Sequence, residues 1–462
     1  MNVPGHVHFM GMGGIGMSAI AQVLMASGTV VSGCDLRASE LTDRMRARGA
    51  VFFERHSPEH MRDVTLLVYS SAVPADHPEL VEAQRRGIET IKRAEMLARL
   101  FNGRRSIAVA GTHGKTTTST LIGFLLERAG YDPTLLLGGE SVDLGSNARL
   151  GAGDLVVAEA DEFDGSFLRL KPYLAVLTNI EADHLDFYGS YDRLFAAFIR
   201  FLASVSPEGR IVACLDDPAV ASAVGQRDIR AIIDRYGLHP DAAWRAIDVE
   251  LVGATSSFRA EHNGVSLGTF EILLPGLHNV RNALAAIATV VPMGVDQATL
   301  REGLAVFRGA KRRFEIKGEL GGVLVIDDYG HHPTEVAATL AAARGRLSGR
   351  RIVCVFQPHT YSRTKNLLDE FAACFHDADE LVVTEIYAAR EKDTLGVSSA
   401  DLVSRVKQPA ASLIPSLEEA ANYLSAQLGP GDVLVTMGAG DVYRVGEMVL
   451  ARLKGRGKSS NA

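Results

Sequence analysis

The stretch with the most distinctive chemistry is Gly-Thr-His-Gly-Lys-Thr-Thr, residues 111–117, which follows an apolar run and opens a helical pattern. It departs from the usual phosphate loop, G-x-x-x-x-G-K-[ST], because position 109 is valine. A strand-to-helix turn of this composition still predicts a phosphate cradle, in which backbone amides attract the anion and Lys115 neutralises its charge. The alternative is a chance turn that carries a surface lysine. The predicted phosphate-binding residues are Gly111, Thr112, His113, Gly114, Lys115, Thr116 and Thr117.

Hard oxygen ligands for a magnesium ion accompany this motif. The Thr116 hydroxyl is one, and Glu159 follows the apolar run of residues 155–158 as a second. His184 is expected to end the next strand, with Asp183 beside it, and Asp161 and Glu162 follow Glu159. Since ligands collect at the carboxyl ends of strands in open α/β sheets, these side chains should converge if their strands are neighbours. The pattern thus predicts Thr116 and Glu159 as metal ligands with His184 close by; separately, each acid or histidine is more often a solvated or capping residue.

A second glycine motif lies near the start of the chain. Gly11, Gly13 and Gly16 form G-x-G-x-x-G between an apolar strand and a helix, and Asp35 closes the next strand, 19 residues after Gly16. This is the pattern of a dinucleotide-binding turn, in which the acid accepts from a ribose hydroxyl. NAD, FAD or a nucleotide-sugar diphosphate would all fit, and a turn without a ligand is the alternative. The predicted binding residues are Gly11, Gly13, Gly14, Ile15, Gly16, Asp35, His56, Ser71, Ala72 and Arg93.

The bulk composition limits the class of protein. The 462 residues are 47% hydrophobic and 22% charged, with a net charge of −7, which gives no electrostatic sign of a nucleic-acid partner. The four cysteines are widely spaced and favour reduced core positions in a cytoplasmic protein. A signal peptide and a membrane-spanning run are both missing from the pattern. We therefore expect small-molecule partners, no nucleic acid, no membrane, and a monomer or weak homodimer.

Short apolar runs alternate with amphipathic helical stretches along the chain, which predicts parallel βαβ units. The alternation restarts near residues 105 and 322, and a boundary is expected near 308–315. The fold class predicted is α/β, with three consecutive domains: a Rossmann-like domain over 1–102, a P-loop ATPase-like domain over 103–310 and a Rossmann-like domain over 311–462.

A series of motifs in this order resembles the Mur ligase family. The motifs are GTHGKTTT, AEADEFDGSF, TNIEADHLD, LPGLHNVRNALAA, KRRFE, DDYGHHPTEV and FQPHTYSRT, and they span nearly the whole chain. The resemblance implies an N-terminal UDP-sugar domain, a central ATPase domain and a C-terminal domain that binds the amino acid and closes over the site. It also implies ATP and Mg²⁺ as cofactors, and UDP-N-acetylmuramate and L-alanine as substrates of peptidoglycan precursor synthesis.

The reaction that the resemblance implies needs both glycine loops. ATP would phosphorylate the lactyl carboxylate of UDP-N-acetylmuramate, the amine of L-alanine would attack the acyl phosphate, and the products would be an amide, ADP and phosphate. A carboxylate is a poor acyl donor in water, so such an enzyme must bind a phosphate donor and an acid together. Two alternatives stay open: a recycling ligase that adds a tripeptide to the same sugar nucleotide, and, more remotely, a nicotinamide-dependent oxidoreductase.

The resemblance also assigns residues beyond the loops. The adenine would lie near His278, Asn279 and Asn282, and Asp328 would approach ATP. The residues implied to be catalytic are Lys115, Glu159, His184, Arg313, His332 and Arg363, with Arg313 also near ATP. The resemblance implies that His184 either binds a second metal ion, which would complete the ligand set of Thr116, Glu159 and His184, or lies on the acyl-phosphate side of the site. Two departures stand out: Thr360 replaces an arginine that many relatives carry, and Phe163 replaces a small polar residue. The stretch that follows ADHLDFYGSYDRL, residues 182–194, shows no obvious lysine of the kind that several Mur ligases carbamylate, so that modification is not predicted.

Overall fold

Parallel strands separated by helices make up the computed structural model, which describes residues 5–253, 255–389 and 391–459. Three sheets succeed one another along the chain, so the mixed α/β class and its three successive regions are confirmed. Two compact units can be distinguished, one of residues 1–247, 259–270 and 281–309, and one of residues 248–258, 271–280 and 310–462. The domain borders at 102 and 310 remain predictions.

The first sheet is wholly parallel, with strand order β3-β2-β1-β4-β5. Val7 and Phe9 are buried on one face of β1, while His8 and Met10 are buried on the other, as expected for a sheet covered on both sides. The strand order reverses at β1, which places the loop after β1 at the switch point where α/β sheets bind ligands. The strands are β1 (His6–Met10), β2 (Val30–Cys34), β3 (Val51–Phe53), β4 (Leu66–Tyr69) and β5 (Glu89–Lys92), and the helices are α1 (Ile15–Ala26), α2 (Glu40–Ala47), α3 (Pro78–Arg85) and α4 (Arg93–Phe101), with a 3-10 turn at Pro58–Met61.

The second sheet has the order β15-β14-β13-β12-β11-β10-β6-β9-β7-β8. Strand β6 pairs in parallel with both β9 and β10, so the carboxyl ends of these three strands meet at one edge. The strands are β6 (Arg105–Ala110), β7 (Thr134–Ser141), β8 (Ser146–Arg149), β9 (Leu155–Glu159), β10 (Leu174–Leu177), β11 (Arg210–Cys214), β12 (Ile232–Gly237), β13 (Trp244–Val252), β14 (Thr255–His262) and β15 (Val265–Ile272). The helices are α5 (Lys115–Arg128), α6 (Leu185–Tyr188), α7 (Tyr191–Ala203), α8 (Pro218–Val224), α9 (Leu277–Val290) and α10 (Gln297–Val306), with 3-10 segments at Phe163–Arg169 and Val291–Met293.

The third sheet has the order β16-β17-β21-β18-β19-β20, in which only the β16–β17 pair is antiparallel. Strand β17 is buried along its whole length, including the acidic residues Asp327 and Asp328 at its end. The strands are β16 (Glu315–Leu320), β17 (Val323–Asp328), β18 (Ile352–Phe356), β19 (Glu380–Val383), β20 (Ala410–Leu413) and β21 (Val433–Met437), and the helices are α11 (Pro333–Arg346), α12 (Tyr361–Asn366), α13 (Leu368–Ala373), α14 (Ser399–Arg405), α15 (Leu417–Gln427) and α16 (Tyr443–Ser459).

One buried amide joins the first glycine helix to the second sheet. Asn147 of β8 donates to the Ile15 carbonyl at 2.6 Å and to Ser18 Oγ at 3.0 Å, and it accepts from Gln22 Nε2 at 2.7 Å. Its side chain is fully buried, so an unmatched polar group there would be costly. Helix α1 is therefore fixed in rotation against the edge of the second sheet.

The single tryptophan of the chain, Trp244, begins β13 and is almost completely buried. Its ring stacks on His262 of β14 at a centroid distance of 3.9 Å.

The described residues include no helix that is both long enough and apolar enough to cross a membrane.

Candidate functional site

The first glycine loop offers its anion-binding donors from the first turn of helix α1 rather than from Gly11, Gly13 and Gly14. The amides of Gly11 and Met12 donate to the Cys34 carbonyl at 2.9 and 3.1 Å, and the Gly13 amide donates to Asp35 Oδ2 at 3.0 Å. The Gly14 amide donates back to the Gly11 carbonyl at 3.1 Å. The amides of the first turn of α1, which begins at Ile15, have no acceptor within a helix and are the donors that an anion would meet.

The remaining residues predicted for the first loop lie at different depths. Both carboxylate oxygens of Asp35 hold backbone amides, those of Gly13 and Leu36, so this acid organises the loop in the described structure. His56 Nδ1 donates to Oε2 of the buried Glu79 at 2.9 Å. Ser71 and Ala72 lie in an exposed turn after β4.

Arg93 connects the first glycine loop with the acidic segment that follows β9. A side chain built at Gly16 would meet Arg93 Nη1 at 3.1 Å, and Arg93 Nη2 donates to Ser166 Oγ at 3.2 Å. Burial raises the pKa of Asp161, but the charges of Lys115, His184 and Arg93, in decreasing order, hold it below its ordinary value. Arg93 thus lies beside both the first glycine loop and the acidic segment after β9.

The second glycine loop is braced by residues just beyond β10. The Thr112 amide donates to the Asn179 carbonyl at 3.1 Å, and the His113 amide donates to Asn179 Oδ1 at 2.7 Å. Thr178 Oγ1 donates to the His113 carbonyl at 2.6 Å. We did not predict roles for Thr178 and Asn179, although both stand in the TNIEADHLD motif.

Two positions in this loop require glycine. Gly111 has φ +127°, and a Cβ there would lie 2.1 Å from Thr178 Oγ1. Gly114 has φ +80°, and its Cβ would lie 2.6 Å from Asn282 Oδ1, which accepts from Thr118 Oγ1 at 3.2 Å. The amides of Thr112 and His113 are held by Asn179, and the amides of the first turn of α5, residues 115–117, are donors that an anion would meet.

Lys115 is enclosed by acceptors. Its Nζ donates to the carbonyls of Gly111 and Thr112 at 2.7 and 3.1 Å, and it forms an ion pair with Glu162 at 2.7 Å. Burial lowers the pKa of Lys115, but the carboxylates of Glu162, Asp161 and Glu159 outweigh that effect and hold the pKa above its ordinary value. The lysine is therefore a permanent positive charge at the start of α5.

The predicted pair of hard oxygen ligands is brought together. Thr116 Oγ1 donates to Glu159 Oε2 at 2.8 Å, because β9 ends directly beside the loop that follows β6. Gly138 of β7 makes room for this carboxylate, since a Cβ at position 138 would lie 2.1 Å from Glu159 Oε2. Gly138 is a further residue that the sequence analysis did not single out.

The prediction that His184 ends a strand is wrong. Strand β10 ends at Leu177, and His184 lies seven residues later as the residue that precedes α6, with φ +53°. The polar sequence TNIEAD leaves the strand early because Thr178, Asn179 and Glu181 bond to the second glycine loop instead of continuing the sheet.

The imidazole of His184 nevertheless lies in the acidic cluster. Donor atoms of Asp161, Glu162 and His184 all lie within 4.8 Å of one another, a spacing that could hold a metal ion. Glu162 Oε1 is buried and has no hydrogen-bond partner among the described residues. Phe163 packs its ring edge-on against His184 at 5.2 Å, so this departure from the motif positions the histidine by contact.

In the second unit, Asp328 closes β17 and accepts two backbone hydrogen bonds. These come from the amides of Gly330 at 2.7 Å and Phe314 at 2.8 Å. Burial raises the pKa of Asp328 to about 6, against the opposing effect of Arg313 and the two amides. Arg313 itself pairs with Glu335 of α11 at 3.3 Å and lies over the Tyr329 ring.

The loops after β17 and β18 meet through histidines. His331 and His359 lie with ring centroids 5.8 Å apart, and Arg363 of α12 contacts His359 Nδ1 at 3.1 Å. His332 caps α11, where its Nδ1 accepts from the Thr334 amide at 3.4 Å. Thr360 also caps a helix, because its hydroxyl accepts from the Arg363 amide at 3.4 Å.

The residues predicted near the adenine fall in two units. Asn279 Nδ2 donates to the Pro275 carbonyl at 2.8 Å, and the His278 ring lies against Gly276, both within the second unit. Asn282 belongs to the first unit and touches Gly114, as described above. The residue beside Arg313 has a structural role, since Arg312 pairs with the buried Asp327 at 2.9 Å and donates to the carbonyls of Gly438 and Gly440.

A phosphate loop with a buried lysine, a threonine–glutamate pair at the next strand end and a separate glycine loop at a switch point together define an α/β protein built to bind two phosphate-containing ligands. Family models agree with this class: the Mur ligase family catalytic domain matches residues 6–105, the Mur ligase middle domain residues 109–290, and the Mur ligase glutamate ligase domain residues 312–440. The chain belongs to the Mur ligase family.

Individual relatives extend over nearly the whole chain. A UDP-N-acetylmuramate–L-alanine ligase of Geobacter sp. (strain M21) is 48% identical, with 97% of each chain covered, and one of Salinibacter ruber is 46% identical, with 98% and 95% covered. The crystal structure of a UDP-N-acetylmuramate–alanine ligase from Thermotoga maritima matches with a TM-score of 0.84 at 29% identity, covering 98% of this chain and 99% of the other. A murein peptide ligase from Psychrobacter arcticus matches with a TM-score of 0.76 at 25% identity, covering 97% and 98%.

Proposed function

We propose that this chain is an ATP-dependent ligase that joins L-alanine to the lactyl carboxylate of UDP-N-acetylmuramate. The reaction forms an amide through an acyl phosphate and yields ADP and phosphate. The observation that carries the proposal is the loop 111–117 with Lys115 and the Thr116–Glu159 pair at 2.8 Å. The alanine ligases of Geobacter and Salinibacter, which match over almost their full length, support the choice of substrates.

The second glycine loop is assigned to the triphosphate of ATP. The first-turn amides of α5 and the charge of Lys115 face the same space as Glu159, as phosphoryl transfer requires. In the described structure Glu162 balances the charge of Lys115, so an incoming phosphate competes with this carboxylate for the ammonium group. Gly111 and Gly114 keep side chains away from the backbone that a phosphate would approach.

The first glycine loop is assigned to the diphosphate of the sugar nucleotide. Its own amides are used to shape the turn, and the first turn of α1 supplies the donors. Asp35 holds the loop with one lone pair on each oxygen and retains others for a ribose hydroxyl. Arg93 is placed to link this ligand with the acidic segment, because it contacts both Gly16 and Ser166.

Mg²⁺ fits the residues present. The Thr116 hydroxyl and the Glu159 carboxylate are hard oxygen ligands already adjacent, and the unpartnered buried Glu162 Oε1 is a third oxygen in the same region. A bound magnesium ion would neutralise charge on the phosphates during transfer. The donor atoms of His184, Asp161 and Glu162 form a second group of the size that a metal ion needs.

Residues of the second unit are assigned to substrate binding by family position. Arg313 and Arg363 are candidates to clamp a phosphate or carboxylate, because a guanidinium group offers paired donors to a planar anion. Arg363 is oriented by His359, and Arg313 by Glu335. His332, His278, Asn279 and Asp328 complete the assigned set, with Asp328 fixing the loop before α11.

Phosphate release measured with ATP, Mg²⁺ and UDP-N-acetylmuramate tests the proposal. The assay is run with each L-amino acid and with the tripeptide L-alanyl-γ-D-glutamyl-meso-diaminopimelate. We expect release with L-alanine well above that with glycine, L-serine or the tripeptide, together with a stoichiometric amide product in the mass spectrum.

Other outcomes separate the alternatives. Turnover with the tripeptide alone would make the chain a recycling ligase, a function related to that of the Psychrobacter neighbour. Phosphate release without any amide product would remove the ligase proposal. A Lys115→Ala chain prepared in parallel shows whether the release comes from this enzyme.

A further inference from the structure

A second cluster of metal-ligating side chains lies below the first glycine loop. His8 of β1, Cys34 at the end of β2, His60 of the 3-10 turn and Glu79 in the first turn of α3 are all buried. One donor atom of each lies within 4.8 Å of the donor atoms of the other three. None of these four residues takes part in the proposed ligase chemistry.

The carboxylate of Glu79 is the centre of the cluster. Its Oε1 lies 2.6 Å from His60 Nδ1 and accepts from the Ser57 amide at 3.1 Å, while its Oε2 lies 2.9 Å from His56 Nδ1. The Cys34 Sγ atom lies 3.4 Å from Oε2. Because the Glu79 side chain is fully buried, its charge needs a compensating cation inside the protein.

An independent feature is the orientation of His8. Its side chain is fully buried, and Nδ1 is held by Ser32 Oγ at 2.7 Å. Its Nε2 lies 4.0 Å from Glu79 Oε1, which is too far for a hydrogen bond, and has no hydrogen-bond partner among the described residues. An imidazole nitrogen is thus aimed into the cluster with nothing to bond, which is the arrangement of a metal ligand whose other nitrogen is fixed by an outer partner.

We propose that His8, Cys34, His60 and Glu79 bind one zinc ion. Zn²⁺ takes sulfur, nitrogen and carboxylate ligands at about 2.0–2.3 Å in a tetrahedron, which separates the donor atoms by about 3.3–3.8 Å. In the observed cluster Glu79 Oε1 lies 2.6 Å from His60 Nδ1 and 4.0 Å from His8 Nε2, and donor atoms of all four residues lie within 4.8 Å of one another, so small side-chain shifts would give these separations. The thiol proton of Cys34 passes to solvent on binding, and His60 ligates as a neutral imidazole that keeps one ring proton on Nε2, so that thiolate plus carboxylate balance the dication.

The neighbouring polar residues hold the four ligands in place and are not ligands themselves. Oε2 of Glu79 faces His56 at 2.9 Å and His77 at 3.9 Å, so these histidines serve as outer partners of the ligating carboxylate. Ser32 plays the same part for His8, since its hydroxyl fixes the opposite ring nitrogen. The site is thereby closed by protein groups, as in structural zinc sites.

The site is connected to the first glycine loop through Cys34. The Cys34 carbonyl accepts the amides of Gly11 and Met12, and the following residue, Asp35, holds the Gly13 amide. A metal on the Cys34 side chain therefore fixes the strand end on which the loop rests. The proposal assigns this zinc a structural role, and it holds whether or not the ligase function is correct.

Cobalt substitution of the full chain tests the site. The protein is stripped with a chelator under reducing, anaerobic conditions and titrated with Co²⁺, and zinc content is measured before stripping. We expect about one zinc per chain as purified and, after titration, a thiolate-to-cobalt charge-transfer band in the near ultraviolet with strong ligand-field bands typical of tetrahedral cobalt. The magnesium ligands assigned above include no sulfur, so cobalt bound there gives no such band.

Variants locate the ligands. Cys34→Ser and His60→Asn should remove the charge-transfer band or the tetrahedral bands, while Cys374→Ser, a change of a buried cysteine directly after α13, should leave both intact. A band that survives in Cys34→Ser would overturn the assignment. The wild-type measurement does not depend on how any variant folds: absence of the charge-transfer band in wild type, or zinc that adds nothing to its thermal midpoint, would also overturn the proposal.

Discussion

Lys115 Nζ and Glu162 Oε2 lie 2.7 Å apart, in a pair whose carboxylate side chain is only 1% exposed. The lysine that should meet the triphosphate is thus already paired, and the same ammonium group also bonds two loop carbonyls. Removing Lys115 therefore has two consequences that must be separated: loss of a phosphate ligand, and a buried Glu162 carboxylate whose charge is no longer balanced.

Lys115→Ala should abolish ATP-dependent phosphate release and leave binding of UDP-N-acetylmuramate intact. The first effect follows because the ammonium group is the fixed positive charge at the start of α5. Breaking a buried ion pair also costs about 3–5 kcal/mol of stability. Calorimetric titration with the sugar nucleotide and a urea unfolding curve measure the two effects independently.

A double variant, Lys115→Met with Glu162→Gln, distinguishes these effects. It removes both charges, so it should recover most of the lost free energy of unfolding while phosphate release stays undetectable. Recovery of turnover in the double variant would show that the lysine acts only on stability and has no direct part in the reaction.

Glu159→Gln should raise the Mg²⁺ concentration needed for half-maximal turnover by at least about 10- to 100-fold, the loss usual even for an outer partner of a metal site. The amide lacks the charge that holds a hard cation, although it can still accept from Thr116. Asp154→Asn is the matched control, because this acid lies exposed just before the same strand. Equal Mg²⁺ dependence in the two variants would argue against Glu159 as a ligand.

Gly111→Ala should eliminate ATP binding. The new Cβ would lie 2.1 Å from Thr178 Oγ1 and about 3 Å from the Asn179 backbone, so the loop has to move. Gly130→Ala is the control at the far end of α5, where φ is +81° but no atom lies within 4 Å. It should cost about 1–2 kcal/mol of stability from left-handed strain and keep ATP binding, as equilibrium dialysis can show.

Asp328 should make stability fall as the pH rises. Its pKa is about 6 in the folded protein against an ordinary value of 3.8, so the folded state holds the proton more tightly than the unfolded chain between these values. The free energy of unfolding should therefore decline through this window by about 3 kcal/mol, two units at ~1.4 kcal/mol each. Urea unfolding of wild type and Asp328→Asn from pH 4 to 7 isolates the contribution of Asp328 to the free energy of unfolding.

The difference in free energy of unfolding between wild type and Asp328→Asn should depend on pH. The asparagine places an amide group against a backbone N–H and is less stable than wild type at pH 4, but it lacks the pH-dependent term. The gap between the curves should therefore narrow as the pH rises. A constant gap would mean that Asp328 titrates normally in the folded state.

Residues with a strict backbone requirement were predictable from sequence. Gly111, Gly114 and Lys115 sit at a strand-to-helix turn, and Glu159 ends a short apolar run, so their convergence followed from the rule that parallel strands end at one edge. The order β10-β6-β9 that makes it happen was an assumption at that stage, since pairing partners are not written in a local pattern.

The errors and omissions concern long-range contacts. His184 was placed at a strand end because the run 174–184 begins with apolar residues, but competing hydrogen bonds from Thr178 and Asn179 end the strand at Leu177. The side chain of Asn147 bonds α1 across 132 residues of sequence, and Gly138 matters only because Glu159 lies on it. No periodicity or motif signals such partners.

The solitary indole of Trp244 gives the molecule a built-in reporter with a defined address. Enclosed in the second sheet and stacked on His262, it would change emission when that sheet opens, whereas residues 310–462 carry no tryptophan and would melt unseen by this probe. If the second and third sheets unfold at different denaturant concentrations, the unfolding midpoints measured by fluorescence and by circular dichroism on the same sample would therefore differ.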